Sequence, residues 1–471
     1  MELRIELAGR GDLAGQIRDQ IAGLVKQGLL RADDRIPSSR ELAARLGVSR
    51  TTVATAYEQL TADGFLQART GVGTYIRNPT VEPPTLSRLT GGPEPQPIWA
   101  GLHDPEDLSA AAPRFDLRAG IPDARSFPFA TWRAAVADQF RPNVVGTAAY
   151  GDPAGDPGLR TAVARHVAVS RSVRGGPDDV LITNGIQQAI DLIARVVLKP
   201  GDVVAVEDPG YGPPRVLFRS LGLRVVGVPV DDEGLVVDAL PADARLVYVT
   251  PAHQFPLGVP LSAQRRTALL EWAARTGATI VEDDYDSEFR FAGRPLEPLQ
   301  SLDRDGSVIY VGSFSKIMLP TIRLGFLVAP PSLYGALRKA KWLTDWHTAL
   351  PLQRALATFI ENGHLAHHLR RMRRTYAQRH HHLQAALHTA FDGTLCPLPS
   401  LAGLHVAVRS PEPTYDDTAL AARATELGVG LLPLSYHAVD PQPRVTGLIL
   451  GYGAIEQNRI DEALALLKQC L

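Results

Sequence analysis

The chain has 471 residues, 45% hydrophobic and 21% charged, the composition of a globular protein long enough for two or three domains. Its 49 Lys+Arg against 50 Asp+Glu give a formal net charge of −1, so any basic surface for nucleic acid has to be local. Two cysteines, Cys396 and Cys470, exclude a disulfide framework and a thiolate metal site, while the charged start Met1-Glu2-Leu3-Arg4 and the absence of a run of about 18 apolar residues point to a cytoplasmic protein with no membrane partner.

Residues 11 to 77 read as three helices and a hairpin. Leu13, Ile17, Ile21, Leu24 and Val25 repeat at helical spacing, and Gly28 follows as a stop. Ser38 and Glu41 stand in capping-box register before a second helix that buries Leu42 and Leu46 and ends at Gly47. A third helix, Arg50 to about Asp63, places Val53, Ala56, Tyr57 and Leu60 on one face. Two short alternating runs, 65–69 and 73–76, flank Thr70-Gly71-Val72 as a hairpin.

The four-residue turn Leu46-Gly47-Val48-Ser49 is what a helix-turn-helix needs, and the next helix opens on Ser49, Arg50, Thr51 and Thr52. All four can donate to phosphates or base edges in a major groove. From Arg35 to Arg77 there are 6 basic residues against 3 acidic ones, which puts positive charge beside that helix. A small helical oligomerisation module with a solvated basic face is the bland alternative on spacing alone.

Pro37-Ser38-Ser39-Arg40-Glu41-Leu42-Ala43, Leu46 through Val53, Ala56-Tyr57, Gly64-Phe65 and Gly71-Val72-Gly73-Thr74-Tyr75 together resemble the GntR-type winged helix. The resemblance implies contacts to double-stranded operator DNA from Arg40, Ser49, Arg50, Thr51 and Thr52, with Arg69 and Gly71 in the minor groove.

Residues 78–113 carry Pro79, Pro83, Pro84, Pro93, Pro95, Pro97, Pro105 and Pro113 with little periodicity and read as a linker. From Phe115 onward, apolar runs at 179–183, 203–206, 246–249, 278–281, 308–311 and 324–328 alternate with helical segments. That alternation predicts an α/β domain over 114–471 with a mainly parallel, doubly covered sheet, passing after about residue 365 into a smaller α+β lobe.

Gly312-Ser313-Phe314-Ser315-Lys316 follows a buried strand, with Arg323 seven residues on. Two hydroxyls, a lysine and an arginine at a strand end can hold a phosphate beside a reactive amine. Glu282-Asp283-Asp284-Tyr285 ends another strand, where positions i and i+2 share a face. A carboxylate and a phenol side by side suit the ring nitrogen and ring oxygen of pyridoxal phosphate. Taken singly, Lys316 reads as a loop lysine and Asp283 as a helix cap.

Taken together these motifs resemble the fold-type I aminotransferases, and the whole arrangement resembles the MocR/GabR regulators. The resemblance implies a Schiff base at Lys316, Asp283 on the pyridine nitrogen, Tyr285 on the ring oxygen and Tyr211 stacked on the ring. It places the phosphate on Ser313, Ser315, Arg323 and the backbone of Ile186 and Gln187. Tyr150 is matched to a tyrosine that reaches the neighbouring subunit's phosphate, which implies a homodimer. Lys316, Asp283 and Tyr285 would be the catalytic set if turnover occurs; no metal ligands are expected.

Two departures stand out. Phe255, in His253-Gln254-Phe255-Pro256, occupies the slot of an asparagine in the enzymes and cannot bond the ring oxygen. Ile449, three residues before Tyr452, stands where amino acid binders carry a carboxylate-clamping arginine; Arg444 would lie about 16 Å away on a continuous strand. The expected function is therefore a pyridoxal phosphate-dependent transcription regulator, sensing pyridoxal phosphate itself, as in PdxR-like members that govern vitamin B6 supply, or an amine or amino acid anchored elsewhere, for instance by Arg215. An aminotransferase with an appended DNA-binding domain is the alternative. His364, His367, His368 and His380-His381-His382 read as a solvated helix face with their neighbouring arginines, and Trp342 and Trp346 as a packed helix face.

Overall fold

The computed structural model describes all residues except 1, 2, 4, 10, 70, 71, 78–91, 103–111, 146–148, 293–295, 392, 413, 414 and 440–444. Most of the proline-rich linker, Gly71 and Arg444 lie outside the described residues. The chain divides into two units, Met1–Pro95 and Gln96–Leu471. No described helix is long and apolar enough to cross a membrane.

In the first unit, α1 (Leu13–Lys26), α2 (Ser39–Leu46) and α3 (Arg50–Ala62) pack around Ile17, Ile21, Leu42, Val53, Ala56 and Leu60, all buried. Each of the larger of these, the isoleucines, leucines and valine, contributes about 1.5–3 kcal/mol relative to exposure. Ala43 joins this core in place of Leu46, which is only half-buried. Ser38 caps α2 by accepting from the Glu41 amide at 3.2 Å, and Ser49 caps α3 by accepting from the Thr52 amide at 3.0 Å. The hairpin of β2 (Leu66–Arg69) and β3 (Gly73–Ile76) gains a third strand, β1 (Arg35–Ile36), which pairs with β3. Two residues are too few to show an alternating pattern, so β1 has no signature in the sequence.

The second unit opens on β4 (Phe115–Asp116) and is organised by an eight-stranded sheet: β5 (Val180–Thr183), β6 (Val203–Asp208), β7 (Arg224–Asp231), β8 (Gly234–Leu235), β9 (Ala244–Val249), β10 (Thr279–Asp284), β11 (Val308–Ser313) and β12 (Gly325–Val328). The spatial order is β5-β12-β11-β10-β9-β6-β7-β8. Strands β11, β10, β9, β6 and β7 run parallel, whereas β12 and β8 run antiparallel to their neighbours. Strands β5, β6 and β9–β12 match the expected apolar runs; β7 and β8 do not, because β7 is half-buried along its length and carries Gly227 and Pro229. A four-stranded sheet, β13 (Cys396–Pro397), β14 (His405–Arg409), β16 (Leu432–Pro433) and β17 (Gly447–Gly451), forms the smaller lobe, and β15 (Val429–Gly430) pairs with β4.

The 27-residue helix His364–Ala390 is less solvated than its histidines and arginines suggest: His368, Arg379 and His380 are buried. Arg379 donates to Asp123 at 2.6 Å and to the Gly453 carbonyl at 2.6 Å, so its charge is compensated inside. Trp342 and Trp346 are about half exposed rather than packed into a core, and Trp346 lies one residue beyond the helix Pro331–Asp345.

Candidate functional site

In a sheet of this kind, ligands collect at the carboxyl ends of the parallel strands. Strand β11 ends at Ser313, and the buried ring of Phe314 pins the loop that follows. Ser313 Oγ accepts from the Ser315 amide at 3.1 Å, and Lys316 Nζ donates to the Gly120 carbonyl at 2.8 Å. Gly120 has φ +77°, a conformation that favours glycine, and a Cβ there would stand 2.5 Å from that amine and displace it. Burial lowers the Lys316 pKa, partly offset by Asp286 and Asp283, which favours the neutral, nucleophilic amine.

Strand β10 supplies the carboxylate. Val281 pairs with Tyr248 of β9, so Asp283, two residues on, faces the same way as Tyr248. The Tyr248 hydroxyl donates to Asp283 Oδ2, while Oδ1 is buried with no partner. Burial pushes the Asp283 carboxyl up to about 8, against the Tyr248 hydrogen bond, which favours the charged form. A buried carboxylate with one unsatisfied oxygen suits a protonated ring nitrogen, and the pair would restore its charge. Tyr248 is the site residue that sequence reasoning missed.

The raised pKa fixes a pH dependence. Unfolded, Asp283 ionises near 4; in the folded protein without pyridoxal phosphate it stays protonated to about 8. Stability therefore falls as pH rises from about 4 to about 8 and levels off above. Glu207 and Glu282, pushed to about 7 by burial, act with the same sign. In the Asp283→Asn protein stripped of cofactor, the melting temperature should decline less between pH 6 and 8 than in wild type. An equal decline would mean that Asp283 is already ionised when the cofactor is absent.

Tyr285 departs from the expected geometry. Strand β10 ends at Asp284, and the Tyr285 hydroxyl turns onto His253, lying 2.9 Å from its carbonyl oxygen and 3.1 Å from Nδ1. His253 Nδ1 also meets Asp286 at 3.1 Å. His253, Asp286 and His405 offer potential metal ligand atoms all within 4.8 Å of one another. His405 Nε2 bonds the Pro256 carbonyl at 3.0 Å, whereas His253 Nε2 is buried with no hydrogen-bond partner. The Tyr211 ring stands edge-on to Phe255 at 5.6 Å.

The helix Gly185–Val197 starts with Ile186 and Gln187 in its first turn, where backbone amides are free of intrahelical partners and can face an anion. Gly185 has φ +74°, and a Cβ on it would lie 3.0 Å from Arg323 Nη2; the same nitrogen donates to the Asn184 carbonyl at 3.1 Å. Arg323 and that helix start are thus brought together as expected. Asn184 and Gln188 also hold Asp345, the partner of the fully buried Lys341. Tyr150 is 74% exposed and packs against Trp346 with ring centroids 4.4 Å apart.

Ile449 is buried on β17 in a cluster with Phe255, Leu257 and Leu434. Arg215 is no free substitute clamp: it donates to the backbone carbonyls of Tyr436, His437 and Ala438.

In the first unit, Arg40, Arg50 and Thr51 are exposed. Ser49 is engaged as the α3 cap, and its hydroxyl lies 2.8 Å from that of Thr52. Arg69 pairs with Asp33 and stacks on Tyr75 with its guanidinium 4.5 Å from the ring centroid.

A winged helix and an aminotransferase-type domain in one chain define a DNA-binding regulator with a small-molecule domain. Residues 13–76 match the bacterial regulatory proteins of the gntR family, and residues 115–447 match aminotransferase class I and II. The chain is 35% identical to the probable rhizopine catabolism regulatory protein MocR of Rhizobium meliloti, over 96% of this chain and 92% of that one. It is 33% identical to the pyridoxine biosynthesis transcriptional regulator PdxR of Corynebacterium glutamicum, over 96% and 94%. A kynurenine aminotransferase structure from Pyrococcus horikoshii superposes with a TM-score of 0.70 at 28% identity, covering 77% of this chain and 91% of that one. The chain belongs to the MocR/GabR-type family of transcription regulators. An aminotransferase domain of this class implies dependence on pyridoxal phosphate, and the gntR-type domain implies DNA binding.

Proposed function

We propose that this regulator holds pyridoxal phosphate covalently at Lys316 and that occupancy of this site sets its affinity for operator DNA. Asp283 pairs with the pyridine nitrogen and Tyr211 lies against the ring, while Tyr285, whose hydroxyl is turned onto His253, would have to swing away from it to reach the ring oxygen. Ser313, Ser315, Arg323 and the amides of Ile186 and Gln187 hold the phosphate. When bound, the cofactor supplies an electrophilic carbon that captures primary amines. The signal is pyridoxal phosphate itself, or an amine or amino acid captured by it. The chain acts as a homodimer in which each subunit's Tyr150 reaches the other's phosphate; the exposed aromatic surface of Tyr150, Trp342 and Trp346 supports this. Arg40, Arg50 and Thr51 contact the duplex, Ser49 and Thr52 order the start of α3, and Arg69 and Gly71 lie toward the minor groove.

One observation carries the reading: a buried carboxyl with an unsatisfied oxygen, Asp283, lies close enough to the half-buried Lys316 to offset part of the lowering of its pKa. Ile449 argues against ordinary amino acid turnover, because it leaves a substrate carboxylate facing an apolar wall. The test is borohydride reduction of the loaded protein followed by peptide mass mapping. A pyridoxyl group on Lys316 is expected; its attachment to another lysine, or to none, would overturn the assignment.

A further inference from the structure

Asn184 stands at the N-cap of the helix Gly185–Val197 but makes no side-chain cap hydrogen bond. A capping asparagine accepts, through its side-chain oxygen, from the backbone amide two or three residues on. Here those amides belong to Ile186 and Gln187, the two that face the phosphate in the proposed site. The Asn184 side chain is drawn elsewhere: its Nδ2 donates to Asp345 Oδ2 at 2.6 Å. Gln188 Nε2 donates to the same oxygen at 2.8 Å, and Gln188 Oε1 accepts from the Asn184 backbone amide at 2.8 Å.

Asp345 ends the helix Pro331–Asp345 and is held by Lys341, one turn back on the same helix. Lys341 is fully buried, and its Nζ donates to the two Asp345 oxygens at 2.6 and 2.7 Å and to Thr348 Oγ1 at 3.0 Å. Three acceptors match the three donors of an ammonium, so the buried cation is compensated. The cation also offsets the Asp345 charge, which alone would oppose an anion at a helix start whose dipole favours one. Arg323 reaches the same residue by donating to the Asn184 carbonyl at 3.1 Å.

We propose that Asp345, neutralised by Lys341, is a positioning residue for the cofactor phosphate. It holds the Asn184 side chain off the helix start, so that the Ile186 and Gln187 amides stay open to a phosphate monoester instead of being capped from within. This rests on the reading that the phosphate of pyridoxal phosphate lies at that helix start. Pyridoxal lacks only the phosphate and still offers its aldehyde to Lys316, so the ratio of the two affinities isolates the phosphate end. Both are titrated into the full-length protein stripped of cofactor and followed by Schiff-base absorbance. Wild type is expected to prefer pyridoxal phosphate by at least about 100-fold, the worth of two charge-assisted hydrogen bonds.

Lys341→Met combined with Asp345→Leu replaces the ion pair by apolar side chains of similar size, an exchange that buried pairs often tolerate. It should weaken pyridoxal phosphate at least about tenfold, the loss of one such bond, and leave pyridoxal within about threefold. Adding Asn184→Ala removes the side chain that would close the helix start and should restore most of the lost affinity. Damage to the fold would lower both ligands together and would not be repaired by a third substitution. Lys341→Gln with Asp345→Ala gives the same comparison if the first pair lowers the melting temperature of the cofactor-free protein. An equal fall for both ligands, no fall, or no recovery with Asn184→Ala overturns the proposal. A wild type that binds pyridoxal as tightly as pyridoxal phosphate overturns the phosphate reading itself, whereas a wild-type preference that survives both paired substitutions overturns this inference alone.

Discussion

The Lys316→Ala protein is expected to lose pyridoxal phosphate on dialysis under conditions in which wild type retains it, with cofactor affinity reduced at least about 100-fold. A covalent link through the lysine amine holds the cofactor independently of its free concentration. Without it, retention rests on Asp283, Arg323 and the start of the helix Gly185–Val197, charge-assisted contacts worth about 1.5–3 kcal/mol each. The substitution should not unfold the domain. Lys316 has the Gly120 carbonyl as its hydrogen-bond acceptor, and burial already disfavours its charge, so removing the amine leaves no buried ion unpaired. Absorbance of the dialysed protein measures the loss. Full retention by the variant would show that Lys316 is not the anchor.

Arg50→Ala is expected to have the second largest effect, on DNA. Arg50 is the first residue of α3 and is exposed at the end that a winged helix presents to the major groove. A bidentate contact to a guanine edge or a contact to a phosphate contributes about 1–3 kcal/mol, roughly 5- to 150-fold in affinity. A phosphate contact would also reduce the salt slope of log K by about 1, whereas a base contact would relax preference at one position. Arg18, half-buried on α1 and paired with Asp19, is the control: Arg18→Ala should leave affinity within about twofold. Anisotropy at several salt concentrations separates these outcomes, and equal effects from both substitutions would move the DNA-binding face away from α3.

Much of this architecture is legible in local patterns. Ser38 and Ser49 announce their helices because capping is a contact three residues long. Lys316 and Asp283 are legible because one follows an apolar strand and the other stands at the end of one, and strand ends carry chemistry in this class of sheet. What the sequence hides is lateral. Tyr248 reads as one more core residue until the β9–β10 register places it beside Asp283. Gly120, the acceptor for Lys316, lies 196 residues away in the chain, a separation no local pattern spans. The Tyr285 hydroxyl is expected at the cofactor ring but turns onto His253, because β10 stops at Asp284 and strand alternation no longer governs the next residue. His368 and His380 look solvent-facing among arginines, yet the long helix carries them into the core of the domain.

The central claim, that the Lys316 site controls DNA affinity, is tested most directly by fluorescence anisotropy on DNA from the region upstream of the gene. The protein stripped of cofactor is titrated onto that DNA at fixed salt with and without pyridoxal phosphate, then with a panel of primary amines and amino acids added to the loaded form. In wild type the dissociation constant should change severalfold at one of these steps, and in Lys316→Ala it should change at neither. Identical affinities in every state of the wild-type protein would contradict the account.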